Sequence, residues 1–179
     1  VEYISFHGKH HFLALTLKYT TGAPHFIETG HLEPAPVDEK TLDNIKSIVE
    51  HALDTLEITE GASHSEIKID DNGSIKIIEI GGRMGGDCIG SDLVYYSTGI
   101  DFVKAVIDVA CGKAPNLKPD AKPQPAKVVF ILSNEDRAEF ERIEAEEPEK
   151  ILQVVDRQYE LIGKVTDSSN RAGCYILKN

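Results

Sequence analysis

Two glutamates, thirteen residues apart, stand where charge needs a reason. Within SEIKIDDNGSIKIIEIGGRMGG, residues 65–86, Glu66 and Glu79 each lie in a short isoleucine-rich run that reads as a β-strand, with Asn72-Gly73 between the runs. Asn-Gly is a strong hairpin signal because both central positions of a type I′ turn take positive φ. With Asn72 and Gly73 at those positions, Asp71 pairs with Ser74, and counting outward sets Glu66 opposite Glu79 on one sheet face. Their Cβ atoms are then expected roughly 4.5–5.5 Å apart. Two carboxylates about 5 Å apart repel by roughly 3 kcal/mol at an effective dielectric near 20, so a positive partner is expected. A divalent cation is one answer: Mg²⁺ or Mn²⁺ takes hard oxygen ligands and completes its octahedron with water and substrate phosphates. The other answer is a counter-charge from Lys68 or Arg83, or a solvated face.

The residues after Glu79 bear on that choice. GGRMGGDCIGSD places Gly81, Gly82, Gly85 and Gly86 around Arg83. Amides without side chains can approach an anion closely, and a guanidinium can hold phosphate oxygens in a fork. Glycines also build ordinary turns, so the loop alone is weak; beside a carboxylate pair it reads as a phosphate cradle next to a metal site. HGKHH, residues 7–11, spaces its histidines helically but lies between alternating runs, and reads as a surface turn. No Ser-His-Asp triad or Cys-His pair is recognisable in the sequence.

The elements that must position these groups are legible as a series. Residues 1–6 and 12–19 alternate as the strands of a hairpin. TTGAPHFIETGHLEPAP is broken by glycine and proline, and reads as a loop with at most a short strand at 25–29. From Asp38, Leu42, Ile45, Ile48, Val49, Ala52, Leu53 and Leu56 form the stripe of an amphipathic helix. Strands at 66–70 and 75–80 follow, then a helix over GIDFVKAVIDVACGK that Asp101 caps and Gly112 ends. The four prolines of 113–126 read as a linker. Beyond them, KVVFIL reads as a strand, NEDRAEFERIEAEE as a charged helix capped near Ser133 or Asn134, and ILQVVDRQYELIGKV with GCYILKN as further strands. The fold class is α+β, with one unit over 1–114, a linker at 113–126 and a small α+β unit over 127–179.

Over roughly residues 1–114 the chain resembles the C-terminal half of the ATP-grasp nucleotide-binding fold, chiefly through SEIKI…IIEIGGRMGG. In that superfamily, acidic residues on two neighbouring antiparallel strands hold the magnesium ions that bridge the ATP phosphates. The second usually opens a Glu-x-Asn-x-Arg motif. The resemblance implies Glu66 and Glu79 as metal ligands and Arg83 as the phosphate and transition-state contact, with Gly81 where asparagine usually stands. EIGGRMGG is similar to the branch of L-amino acid ligases and other carboxylate-amine ligases. There Gly85 and Gly86 would offer amides to acyl-phosphate oxygens, and Asp87 would lie near the second substrate. Glu2 resembles the acidic residue of the first strand near the nucleotide. TGAPHFIETGHLEPA resembles a segment that crosses the active site, so His25 would face nucleotide, His31 substrate, and Glu28 would assist the metal.

The implied chemistry uses ATP and Mg²⁺ (or Mn²⁺) to activate a small-molecule carboxylate as an acyl phosphate, which an amine attacks. Carbamoyl-phosphate synthetase, biotin carboxylase and glycinamide-ribonucleotide synthetase are alternatives within the superfamily; a nucleotide-binding regulatory or assembly module is an alternative outside catalysis. The resemblance places the partner subdomain, with its phosphate-binding lysines and adenine-reading backbone, before Val1. The chain is therefore expected to be part of a longer protein, inactive by itself, and compatible with a homodimer.

Composition bounds these readings. With 179 residues and 41% hydrophobic content the chain can bury a core. Its 19 basic and 30 acidic residues give a net charge of −11, which repels nucleic-acid phosphate and anionic membranes. No run approaches the roughly 20 apolar residues of a membrane helix. Three scattered cysteines suggest neither a disulfide framework nor a thiolate zinc site and fit a reduced cytoplasmic compartment.

Overall fold

The computed structural model describes residues 1–157 and 165–179. The chain separates into two compact units, one of residues 1–16 and 34–123, the other of residues 17–33 and 124–179. Each has its own antiparallel sheet, with four α-helices among the described residues. None of those helices is long and apolar enough to cross a membrane.

The first unit is built on strands β1 (Glu2–Phe6), β2 (Lys9–Ala14), β5 (Gly61–Ile69) and β6 (Ile75–Gly81), in the order β2-β1-β5-β6. Helix α1 (Glu39–Thr55) covers one face. Asp38 caps it by accepting from the Thr41 amide at 2.7 Å, and Ile45, Val49 and Leu53 lie fully buried on one side, packed with Tyr3 and Leu15. Burying each of these aliphatic side chains is worth about 1.5–3 kcal/mol. Ile48 and Leu56 of the expected stripe are exposed, so the buried face is narrower than the apolar pattern.

The opposite face packs Ile4, Leu13, Ala14 and Ala62 against Val94 of α2 (Val94–Thr98) and Phe102, Ala105 and Val109 of α3 (Phe102–Ala110). Asp101 caps α3 through the Lys104 amide, and Gly112, at φ +70°, follows its end. Within 113–126, Leu117 packs on this core and the Asp120 amide donates to the Gly99 carbonyl at 2.9 Å.

The stretch 12–19 is not one strand. It ends β2 at Ala14, buries Leu15 in the α1 core, and resumes as β3 (Leu17–Thr20) in the second unit. There it pairs with β4 (Glu28–Glu33), so the expected short strand at 25–29 is longer and later in the sequence. β7 (Ala126–Phe130), β8 (Ile151–Arg157) and β9 (Gly173–Lys178) complete a sheet in the order β3-β4-β7-β9-β8. Helix α4 (Asn134–Glu146), capped by Ser133, buries Phe140 and Ile143 with Ala172 and Tyr175. The tail is thus two-fifths short of its own sheet, and residues 17–33 supply the rest. Of the β-structure expected over ILQVVDRQYELIGKV, the part at 158–164 lies outside the described residues.

Candidate functional site

Glu66 and Glu79 are direct partners across β5 and β6, but the turn that sets this register differs from the expected one. Ile69 pairs with Ile75, the Gly73 amide donates to Asp70 O at 2.8 Å, and Gly73 is the turn residue at positive φ (+78°). The Asp70 carboxylate accepts from the Asn72 and Ser74 amides, both at 2.9 Å. This is a three-residue connection closed by a left-handed glycine, not a two-residue type I′ turn. It displaces the ladder by one residue. A bulge at Ile78 restores the count: Ile67 faces Ile77, while Glu66 again faces Glu79.

The bulge also changes which face β6 presents. Ile75 packs toward α1, and so does Ile80, five residues later. Strict alternation would put an odd separation on opposite faces. The reversal lifts Glu79 away from the α1 core, and Ile78 becomes exposed. Glu66, with its side chain 39% exposed, and exposed Glu79 therefore offer carboxylate oxygens at the surface of the sheet.

His64 lies two residues before Glu66 on the same face. It is 5% exposed, and its Nε2 lies 3.5 Å from Glu66 Oε1. Its Nδ1 is hydrogen-bonded to Glu2 Oε1. Glu2, directly across the ladder, is completely buried, and its second oxygen accepts the Gly85 amide at 2.9 Å. The sequence reading missed His64; its period-2 relation to Glu66 was the available signal.

Glu2 is buried and anchors the glycine loop from within the fold. The Gly85 amide is held by Glu2 rather than presented outward. Gly85 is required for another reason, since a Cβ there would stand 2.6 Å from Glu2 Oε1 and 2.9 Å from His64 Nδ1. At Gly86, which is exposed, an added Cβ meets nothing within 4 Å.

Arg83 is exposed, and its Nη1 donates to the Met84 carbonyl at 2.8 Å. Its side chain lies over Gly81, where an added Cβ would sit 3.5 Å from Arg83 Cγ. Arg83 also borders an open cavity of about 630 Å³ whose other walls include Glu60, Ala62, Val106 and Val109. Beyond it, Asp87 (φ 51°) and Cys88 (φ 66°) are successive left-handed residues, each costing about 1–3 kcal/mol. They lead into a π-helical turn, Ile89–Leu93, in which the Leu93 amide donates to Cys88 O at 2.9 Å. Strained residues and π-turns gather at functional sites.

Glu2, Glu66, Glu79, Arg83, Gly85, Gly86 and Asp87 thus belong to the first unit; His25 and His31 belong to the second. His25 is exposed between β3 and β4. His31 is 1% exposed and edge-on to the Phe130 ring at 5.3 Å, a core position in this unit. Glu28 accepts from the Ser168 hydroxyl at 2.9 Å.

A Ser-His-Asp hydrogen-bond chain forms in the first hairpin: Ser5 Oγ lies 2.7 Å from His10 Nδ1, and His10 Nε2 lies 3.1 Å from Asp54 Oδ1. Ser5 is fully buried while Asp54 is exposed. The two ring nitrogens are exchanged relative to a nucleophilic triad, where serine meets Nε2 and aspartate Nδ1, and the chain clasps the first hairpin to the end of α1.

Among the described residues, no group of three or more His, Cys, Asp and Glu side chains could hold a metal. The facing Glu66 and Glu79 still fit a hard cation that takes its remaining ligands from water and phosphate, as Mg²⁺ does.

Comparison with known proteins bears on the fold. No curated protein sequence matches the chain. The fold matches phosphoribosylglycinamide synthetase from Anaerococcus prevotii (TM-score 0.80, 19% identity), with 99% of this chain covering 47% of that protein. It matches L-amino acid ligase from Bacillus licheniformis (TM-score 0.77, 22% identity), covering 99% of this chain and 45% of that one. Biotin carboxylase from Campylobacter jejuni is a third (TM-score 0.65, 16% identity; 99% and 40%). The chain spans less than half the length of each. A model of the ATP-grasp domain matches residues 2–92, a span that holds both facing glutamates and the glycine loop: this chain belongs to the ATP-grasp family.

Proposed function

We propose that this chain forms part of an ATP- and Mg²⁺-dependent ligase that activates a carboxylate as an acyl phosphate and joins it to an amine. The observation that carries the proposal is the register pairing of Glu66 with Glu79 beside the Arg83 glycine loop. Glu66 and Glu79 would hold Mg²⁺, which when bound neutralises charge on the transferred phosphoryl group. Arg83 holds a phosphate or carboxylate oxygen; in doing so its guanidinium exchanges the Met84 carbonyl for an anionic acceptor, a stronger hydrogen bond. Gly86, open on its Cα, lets an anion approach the loop backbone. Asp87 lies on the strained turn next to this cradle and faces the amine substrate. The carboxylate oxygen attacks the γ-phosphorus as ADP leaves; the amine nitrogen then displaces phosphate from the acyl carbon and gives up a proton to the departing phosphate or solvent, and the amide forms. The fold-level likeness to an L-amino acid ligase and a phosphoribosylglycinamide synthetase supports the carboxylate-amine reading.

The test is ATP-dependent phosphate release by the full-length protein against a panel of carboxylates paired with amines. Release that needs both substrates, and that disappears in Glu79→Gln, is the expected result. Nucleotide binding without release under any pair would instead favour a regulatory module.

A further inference from the structure

We infer that His64 is a positioning residue that couples the metal-facing Glu66 to the glycine loop. The inference rests on reading Glu66 as a metal ligand. The connection runs through four groups: the Gly85 amide donates to Glu2 Oε2 at 2.9 Å, Glu2 Oε1 is bonded to His64 Nδ1, and His64 Nε2 stands 3.5 Å from Glu66 Oε1. Glu2 and His64 are ladder partners, and both are buried. The imidazole therefore has little freedom to turn. Glu66, by contrast, reaches the surface of the sheet, with its side chain 39% exposed.

A fixed ring at one oxygen restrains the Glu66 carboxylate beside Glu79, its partner across the ladder. Groups just outside a metal's own ligands act in this way, and removing one typically weakens metal binding about 10- to 100-fold. The same ring, through Glu2, holds the loop that carries Arg83 and Gly86. Movement of Glu66 and movement of the loop are thus mechanically linked. The close fit at Gly85, where even a Cβ would overlap both Glu2 and His64, leaves no slack in that link.

The two ring nitrogens can be separated by substitution. An asparagine amide nitrogen stands near the place of Nδ1 and keeps the bond to Glu2, but it does not reach Glu66. A glutamine amide stands near Nε2 and keeps Glu66. In the full-length protein, Mn²⁺ binding followed by electron paramagnetic resonance should weaken at least tenfold in His64→Asn, with the thermal midpoint close to wild type. His64→Gln should recover most of the affinity. In turnover, His64→Asn should raise the Mg²⁺ concentration needed for half-maximal rate more than it lowers kcat.

Glu79→Gln is the control for the underlying reading. Affinity lost in Glu79→Gln but unchanged in folded His64→Asn overturns the role of His64 alone. Affinity unchanged in both overturns the metal reading as well. Should His64→Asn not fold, the unsubstituted protein decides: the ¹⁵N resonance of His64 Nε2 is expected to move on adding Mg²⁺, and an unmoved resonance at saturating Mg²⁺ overturns the inference.

Discussion

Glu66 faces Glu79 because two one-residue displacements cancel: the three-residue turn at 71–73 shifts the hairpin register, and the bulge at Ile78 shifts it back. The pairing that places both carboxylates on one face is therefore built at two points of the hairpin, at its tip and beside Glu79 itself.

If these carboxylates hold Mg²⁺, Glu79→Gln abolishes turnover while leaving the fold intact, because the substitution keeps the shape and removes one of two facing charges. Activity and thermal melting measured together check this, with the midpoint expected unchanged or raised. Arg83→Lys keeps the charge and loses the bidentate fork, so kcat/KM should fall well beyond any change in nucleotide binding.

The glycine loop gives a contrast between neighbours. Gly85→Ala drives a Cβ into Glu2, His64 and Ile89 and should destabilise by about 1–3 kcal/mol, the usual cost of overpacking. Gly86→Ala meets nothing, and its stability should stay within about 0.5 kcal/mol of wild type. Denaturant melts of the two variants distinguish them directly.

Tyr3 donates its hydroxyl to Glu50 at 3.0 Å. Burial, then the Glu50 charge and this hydrogen bond, push its pKa well above the ordinary value of 10.0. A raised folded pKa gives stability that is complete below the unfolded value and declines as pH rises above it. Stability should therefore fall above pH 10. Tyr3→Phe should cost about 1 kcal/mol at neutral pH and show a flatter alkaline limb in melts across pH 8–11.

The cap of α1 gives the acid counterpart. The Thr41 amide, then its hydroxyl, hold the Asp38 carboxyl below its ordinary 3.8. A depressed pKa gives stability present above the unfolded value and lost as pH falls through the folded one. Asp38→Ala should lower the melting midpoint at neutral pH, and the difference from wild type should shrink steadily below pH 4.

A polar substitution at Ile78 tests the reading of the bulge. Ile78 is 64% exposed, so Ile78→Thr should change stability by no more than about 0.5 kcal/mol. At Ile45, fully buried in α1, truncation to alanine should cost about 2–5 kcal/mol. Chemical denaturation of both variants settles the contrast.

Local signals determined much of this. The stripe of Ile45, Val49 and Leu53, the caps at Asp38, Asp101 and Ser133, and the strands around Glu66 and Glu79 depend on spacing and on groups a few residues apart, which a sequence displays directly. The glycine loop was legible for the same reason; the pairing of the two carboxylates was reached through the wrong turn, and holds because the three-residue connection and the bulge at Ile78 cancel. Tertiary structure alone decided the rest. Leu17–Thr20 continues the apolar alternation of β2 without a break, yet it pairs in another sheet, because strand pairing depends on which edge is available rather than on propensity. His31 sits in a segment that reads as a loop, and only the β4–β7 pairing buries it against Phe130. The bond from Glu2 to Gly85 spans eighty-three residues. No local pattern encodes such a contact; it exists because β1 pairs with β5 and brings Glu2, His64 and the loop into one buried row.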